Sequence, residues 1–167
     1  DRDARWLRAD RLSVGGRAMT DVFTTEPVGR LRPATAVDEA FFLVLRSDQA
    51  TVAASGVQQA PSRTEHAAWF ADCLDPASDR HLFVLEDGIG VGSERPVATV
   101  RIDDGYAGLC ELSVTVASDR RGQGWGRAAV LAGTAWARGN ERYPWARVRT
   151  ENVASMRTFL GAGYVRT

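Results

Sequence analysis

The spacing of apolar positions along the chain switches between helical and strand-like periods, and the switches divide it into elements. From Val37 to Arg46, Ala40, Phe41, Val44 and Leu45 recur at helical spacing, which predicts a helix with one buried stripe. Thr35 and Asp38 stand at the spacing of a capped entry to it. Ser62–Leu74 repeats the pattern through Ala67, Phe70, Ala71 and Leu74, and the small, polar stretch Gln49–Pro61 between the two reads as an irregular loop. Gly29–Arg32 has the short alternation of a strand ended by Pro33. Three further strand-like segments follow, His81–Leu85, Pro96–Asp103 and Leu109–Val116, with Gly-rich or Asp-Gly turns that suit antiparallel hairpins. Gly88, Gly90 and Gly92 belong to such a hairpin loop, because no helix follows them as a dinucleotide loop requires.

After Val116 the order becomes loop, helix, strand, helix. Gly124–Arg138 is a predicted helix with Ala128, Leu131, Ala132 and Ala135 on one face, Trp145–Arg149 a strand, and Val153–Leu160 a short helix. Gly161 and Gly163 stop that helix before Tyr164 and Val165, so the last strand is expected to be short or absent. Asp1–Thr25 mixes Arg and Asp with scattered apolar residues around Gly15 and Gly16, and reads as a surface helix or the tail of a preceding domain. The main domain is therefore expected over residues 26–167, in a chain that opens without Met and fits a piece of something longer.

Composition narrows the chemistry. The 167 residues allow one domain of ordinary size with a real core, and the 44 % apolar share suits a soluble globular protein. Formal net charge is zero, which removes the electrostatic footprint of a nucleic-acid binder. Every basic residue is Arg; the absence of Lys excludes a Lys nucleophile, a Schiff base and a Walker A loop. Cys73 and Cys110 fall in a predicted helix and a predicted strand and read as reduced core thiols, which favours the cytoplasm. The two His and two Cys show no ligand spacing, so no metal is expected. No apolar run approaches the length of a membrane span.

The informative stretch is Glu111–Arg127. A strand of alternating residues runs to Val116, a turn follows, and a glycine-rich loop enters a helix. Such an entry aims unpaired backbone N–H groups and the positive end of the helix dipole at one spot, which suits a diphosphate. Gly122, Gly124 and Gly126 would let backbone approach the phosphates, and Arg121 and Arg127 would add charge-assisted bonds. A tight turn with no ligand is the alternative.

Arg121-x-x-Gly124-x-Gly126 resembles the pyrophosphate loop of the GNAT acetyltransferases. Downstream, Asn152, Ser155, Phe159 and the pair Gly163 and Tyr164 resemble that family's closing motif. The resemblance covers roughly Arg30 to the C-terminus. It implies an α/β fold with a mixed, mostly antiparallel central sheet flanked by helices, whose fourth and fifth strands splay apart. It also implies an acetyl-coenzyme A cosubstrate and an N-acetyltransferase activity. Val114 and Val116 would face the pantetheine arm, with the backbone N–H near Val114 as oxyanion donor. The loop residues Arg121, Gly122, Gln123, Gly124, Trp125, Gly126 and Arg127 would hold the pyrophosphate. Asn152 and Ser155 would flank the coenzyme, and Phe159 would pack at its thiol end.

An amine attacks a thioester only when neutral, so a base is needed. Glu111, on the splayed strand, is the first candidate, with His66 and His81 as alternatives. Many family members carry Tyr where this chain has Phe159, so the departing thiolate would be protonated by Tyr164 or water, or would leave unassisted. A non-catalytic acetyl-coenzyme A sensor is the second reading, and an unrelated nucleotide-binding domain the third.

The acceptor is expected to be a small-molecule amine, with no nucleic acid or membrane partner and a homodimer left open. Residues 45–48, 62–70, 96–97 and 101–103 are similar to a subgroup that acetylates nucleotide-linked amino sugars. That likeness implies Arg46 and Arg101 at phosphates, Trp69 stacked on a base or sugar, and His66 bonded to a hydroxyl.

Overall fold

A computed structural model describes residues 3–10, 27, 29–88, 92 and 94–167. Seven strands form one sheet: β1 (Ala4–Ala9), β2 (Gly29–Pro33), β3 (Arg80–Asp87), β4 (Arg95–Asp104), β5 (Leu109–Val116), β6 (Tyr143–Arg149) and β7 (Tyr164–Arg166). Five helices accompany them: α1 (Glu39–Ser47), α2 (Gln49–Ser55), α3 (Arg63–Leu74), α4 (Trp125–Gly139) and α5 (Val153–Gly161). The spatial order is β2-β3-β4-β5-β6-β1-β7. All neighbours pair antiparallel except β5 and β6. The mixed, mostly antiparallel sheet expected from the sequence is the one observed.

The β5–β6 junction decides where a ligand can enter. Parallel pairing covers Leu109↔Tyr143, Cys110↔Pro144 and Glu111↔Trp145 and stops there. β5 then continues to Val116, paired on its other side with β4 as far as Ala98↔Val116. Beyond Glu111 the β6-facing backbone edge of β5 therefore has no partner strand. This is the expected splay.

Two apolar clusters sandwich the sheet. On one face, α4 and α5 cover Val100, Ile102, Leu112 and Val148, with Cys110 among them. On the other, Phe42 of α1 and Phe70 and Cys73 of α3 cover Leu82 and Val84. Both cysteines are buried free thiols, and burial pushes Cys110 up to about 11. Gly133 sets how closely α4 lies on the sheet. A Cβ there would sit 2.7 Å from Leu112 Cδ1 and 2.8 Å from Val100 Cγ1, so only glycine permits this approach.

Three expectations change. Gln49–Pro61 is not all irregular loop: α2 occupies its first half, with the Asp48 side chain accepting from Thr51 N at 2.9 Å as its cap. The helix expected from Val37 begins as a 3-10 turn over Ala36–Asp38 and becomes α at Glu39. The last strand, expected to be short or absent, is present and short, the three residues of β7. Ala4–Ala9 is strand rather than surface helix; it lies between β6 and β7, and Leu7 is fully buried in the main core. Apolar periodicity over six residues could not show this, because only Leu7 of β1 is buried. The boundary expected at residue 25 lies outside the described residues, as does most of the Gly88–Gly92 hairpin loop.

Candidate active site

Two adjoining cavities open along the splay. One, of about 540 Å³, runs from Val116 over the glycine loop. The other, of about 530 Å³, lies between β4, β5 and the helices α1 to α3. They share a wall made of Thr51, Ala54, Val114, Thr115, Asn152 and Ser155. A molecule in the first can thus present one end to a molecule in the second.

The first cavity is walled by the glycine-rich entry to α4. Gly122 and Gly124 have φ of 74° and 88°, a left-handed backbone that costs other residues about 1–2 kcal/mol. Gly124 stands at the N-cap of α4, where among the described residues no side chain caps the helix. The first N–H groups of a fifteen-residue helix are thereby left for an external acceptor. At Gly126 a Cβ would come within 3.2 Å of Thr158 Cγ2, which keeps α4 close to α5 at the mouth. Arg121 and Arg127 line the cavity. Arg127 Nε donates to Gly161 O at 2.8 Å, and Arg121 is held by Asp48.

Val114 and Val116 line this cavity, and Asn152 and Ser155 line it from α5. Asn152 also caps α5, its Oδ1 accepting from Ser155 N at 3.0 Å. Phe159 is buried and lines the second cavity. Two members of the expected loop set sit elsewhere. Trp125 is a core side chain, near enough to Gly29 that a Cβ there would be 3.0 Å from its ring. Gln123 folds back so that its Nε2 donates to Asp119 O at 2.9 Å. An indole in the first turn of α4 buries more apolar area inward than it could over a ligand.

Trp69, Arg46 and Arg101 all line the second cavity. The Trp69 face is already taken, however: the Arg46 guanidinium lies 3.9 Å from its ring centroid. His66 does not reach the cavity. It is buried beneath Trp69 and Phe70, with Nδ1 2.7 Å from Glu39 Oε1, and belongs to the α1–α3 packing. His81 lies apart from both cavities, with Nε2 2.9 Å from Asp104 Oδ2.

Tyr164 is also not brought to the site. Its hydroxyl is within 2.9 Å of Thr134 Oγ1 in the core, its ring packs edge-on to Phe159, and burial pushes its pKa up to about 12. A hydroxyl so placed serves the fold.

Glu111 stands where β5 leaves β6. It is partly buried, and that burial raises its carboxyl above the usual range, against the attraction of Arg147 and Arg101. Arg147 lines the second cavity and places Nε 3.7 Å from Glu111 Oε1. Sequence reasoning missed Arg147. The signal was available, because Arg147 lies two residues beyond Trp145 on the strand face that holds Glu111's pairing partner.

Solved structures share this architecture. The spermidine N-acetyltransferase from Vibrio cholerae, in complex with CoA and spermine, superposes with a TM-score of 0.72 at 16 % identity, over 82 % of this chain and 80 % of that one. A domain from Methanocaldococcus jannaschii gives 0.72 at 19 %, over 84 % and 90 %. The aminoglycoside acetyltransferase AAC(6')-Ib in complex with coenzyme A gives 0.69 at 14 %, over 84 % and 86 %. No curated protein sequence matches significantly. The family model described as "Acetyltransferase (GNAT) domain" matches residues 30–165, a span holding the splay, the glycine loop and the α5 motif. By that match, and by the site those elements build, the chain belongs to the GNAT acetyltransferase family.

Proposed function

We propose that this protein transfers the acetyl group of acetyl-coenzyme A to a primary amine of a small molecule. The observation that carries the reading is the shared wall: a phosphate cradle and an acceptor cavity meet at Val114, and Arg147 of the acceptor cavity lies 3.7 Å from Glu111, a carboxylate that burial pushes up. The cradle fits the coenzyme's diphosphate, since its glycines have a left-handed backbone and the N-terminus of α4 lacks a side-chain cap. When bound, acetyl-coenzyme A supplies the acetyl group as a reactive thioester.

The chain's own residues then have distinct tasks. Arg121, Arg127 and the backbone of Gly122–Gly126 hold the diphosphate. The unpaired edge of β5 at Val114 and Val116 offers backbone groups to the pantetheine arm, with the N–H near Val114 aimed at developing negative charge. Asn152 and Ser155 confine the arm from α5, and Phe159 offers an apolar surface on the acceptor side. Glu111 takes the ammonium proton of the acceptor, directly or through one water, and its raised pKa keeps it a competent base near neutrality. Phe159 has no acidic proton to donate and Tyr164 is committed to Thr134, so the thiolate is protonated by water or leaves as the anion, which its modest basicity permits.

The finer reading of the acceptor is a nucleotide-linked amino sugar, supported by Arg46 and Arg101 on one cavity. Phe159 and Tyr164 together also favour a second reading, a domain that binds the coenzyme without turnover.

The test is amine-dependent release of coenzyme A thiol, over a panel led by nucleotide-linked amino sugars, alongside calorimetric binding of acetyl-coenzyme A. Thiol release matched by acetylated product supports transfer. Micromolar binding with no turnover on any amine favours the sensor, and no binding removes both readings.

A further inference from the structure

We propose that Arg46, Arg101 and Arg147 form an oxyanion-binding subsite in the acceptor cavity, so that the accepted amine must also carry a phosphate or carboxylate. This rests on the acetyl-transfer reading and narrows it to a class of substrate.

Three guanidiniums from three elements, α1, β4 and β6, line one cavity of about 530 Å³. Their counter-charges are fewer. Arg147 has Glu111 at 3.7 Å, beyond hydrogen-bond length, and Arg101 has Asp103 Oδ2 at 3.1 Å. The Arg101 contact is off the N–H axis: its buried Nε makes no hydrogen bond, and neither does the buried Asp103 Oδ1. Arg46 has the face of Trp69 and, among the described residues, no carboxylate. Burial and the neighbouring charges of Arg101 and Arg80 lower its pKa, so Arg46 is a desolvated cation in a positive field.

A guanidinium left in that state gains most from a bidentate oxyanion. Stacking on Trp69 already fixes its plane, so little side-chain order is lost when the anion arrives. The same field repels polycations, which sets this cavity apart from one suited to polyamines.

The strand register also sets these groups in order along the sheet. Ser113 lies opposite Arg101 in the β4–β5 register, and Glu111 lies opposite Asp103 two residues back. An anion held between Arg46 and Arg101 leaves the amine end of the same molecule free to reach the Glu111 end of β5. Arg147 serves both functions, since it lines the cavity and faces Glu111. A nucleotide-linked amino sugar is one member of the class; a sugar phosphate amine and an amino acid are others.

The test uses four amines with acetyl-coenzyme A: glucosamine phosphate, an amino acid, glucosamine and spermidine. One or both anionic amines should exceed glucosamine in kcat/KM by about tenfold or more, the worth of a hydrogen bond to a charged group, with spermidine poorest. The two anionic arms separate phosphate from carboxylate selection. Arg147→Gln and Arg46→Gln should each erase most of that advantage through KM, with unchanged affinity for acetyl-coenzyme A. Arg147 is half exposed, so its variant remains informative if Arg46→Gln fails to fold.

Equal or better turnover of glucosamine or spermidine overturns the subsite. If no amine is acetylated, the subsite is read separately, by calorimetry of glucose phosphate on the coenzyme-loaded protein. Binding lost in Arg46→Gln or Arg147→Gln upholds it while acetyl transfer fails, and no binding sinks it.

Discussion

Arg121, at the entrance of the glycine loop, donates from Nη2 to Asp48 Oδ2 at 2.6 Å and to Thr51 Oγ1 at 3.2 Å. The same Asp48 oxygen accepts from Thr51 N and caps α2, a helix that contributes Thr51 and Ala54 to both cavities. The Arg121 bond holds the Asp48 carboxyl below its usual range. A diphosphate entering the loop therefore competes with Asp48 for one guanidinium. Asp48→Ala should tighten coenzyme binding several-fold in calorimetry while lowering stability by about 1 kcal/mol through the lost cap. Weaker coenzyme binding would instead mean that Asp48 holds Arg121 in its ligand-ready position.

Glu111 must be ionised to accept a proton, so turnover should rise with pH through its pKa. Burial raises that pKa and Asp103 adds to it, while Arg147 and Arg101 lower it. The ascending limb of kcat against pH should thus lie above the ordinary carboxylate range. Arg147→Gln, by removing an attraction, should push the limb higher still. Glu111→Gln should flatten it and cut kcat by about a hundredfold or more, with coenzyme affinity intact. An unchanged rate and profile in Glu111→Gln would take the residue out of the mechanism.

Gly124→Val places a β-branched residue at φ 88° and a side chain where phosphate oxygens must approach backbone. Strain alone costs about 1–2 kcal/mol. Isothermal titration should show coenzyme affinity reduced beyond measurement in a protein that still unfolds cooperatively. Wild-type affinity would show that the loop is only a turn.

Asp104 accepts from Arg142 and lies 2.9 Å from His81, and those partners hold its pKa down at about 2. A depressed carboxyl contributes stability that is complete above its unfolded value of 3.8 and lost as pH falls through about 2. Asp104→Asn should cost about 1 kcal/mol at pH 7, as expected for a partly exposed pair. Urea unfolding at several pH values should show this difference shrinking steadily below 3.8.

Leu7 is the fully buried residue of β1. Leu7→Ala should destabilise the protein by about 2–5 kcal/mol, the range for a core cavity. A loss below 1 kcal/mol in chemical denaturation would separate Ala4–Ala9 from the cooperative fold.

The loop and its neighbours were legible early because their demands are local. Gly122 and Gly124 are needed for a left-handed backbone, and an uncapped α4 must follow them directly. Leu109–Val116 was legible as a strand from its alternation, and the structure returns the same limits. The helix α2 was not: its seven residues bury none of their side chains, so no apolar stripe marks it.

Sequence by itself therefore determined the elements with a buried face and the glycine-rich, uncapped entry to α4, since each follows from neighbours within a few positions. Tertiary structure alone decided which distant side chains meet. It put His66 under Trp69, committed Tyr164 to Thr134, drew Arg147 to Glu111 and Arg121 to Asp48, and set β1 between β6 and β7. Those outcomes depend on how sheet and helices pack, and a polar or aromatic residue carries no local mark of the partner it will find across the fold.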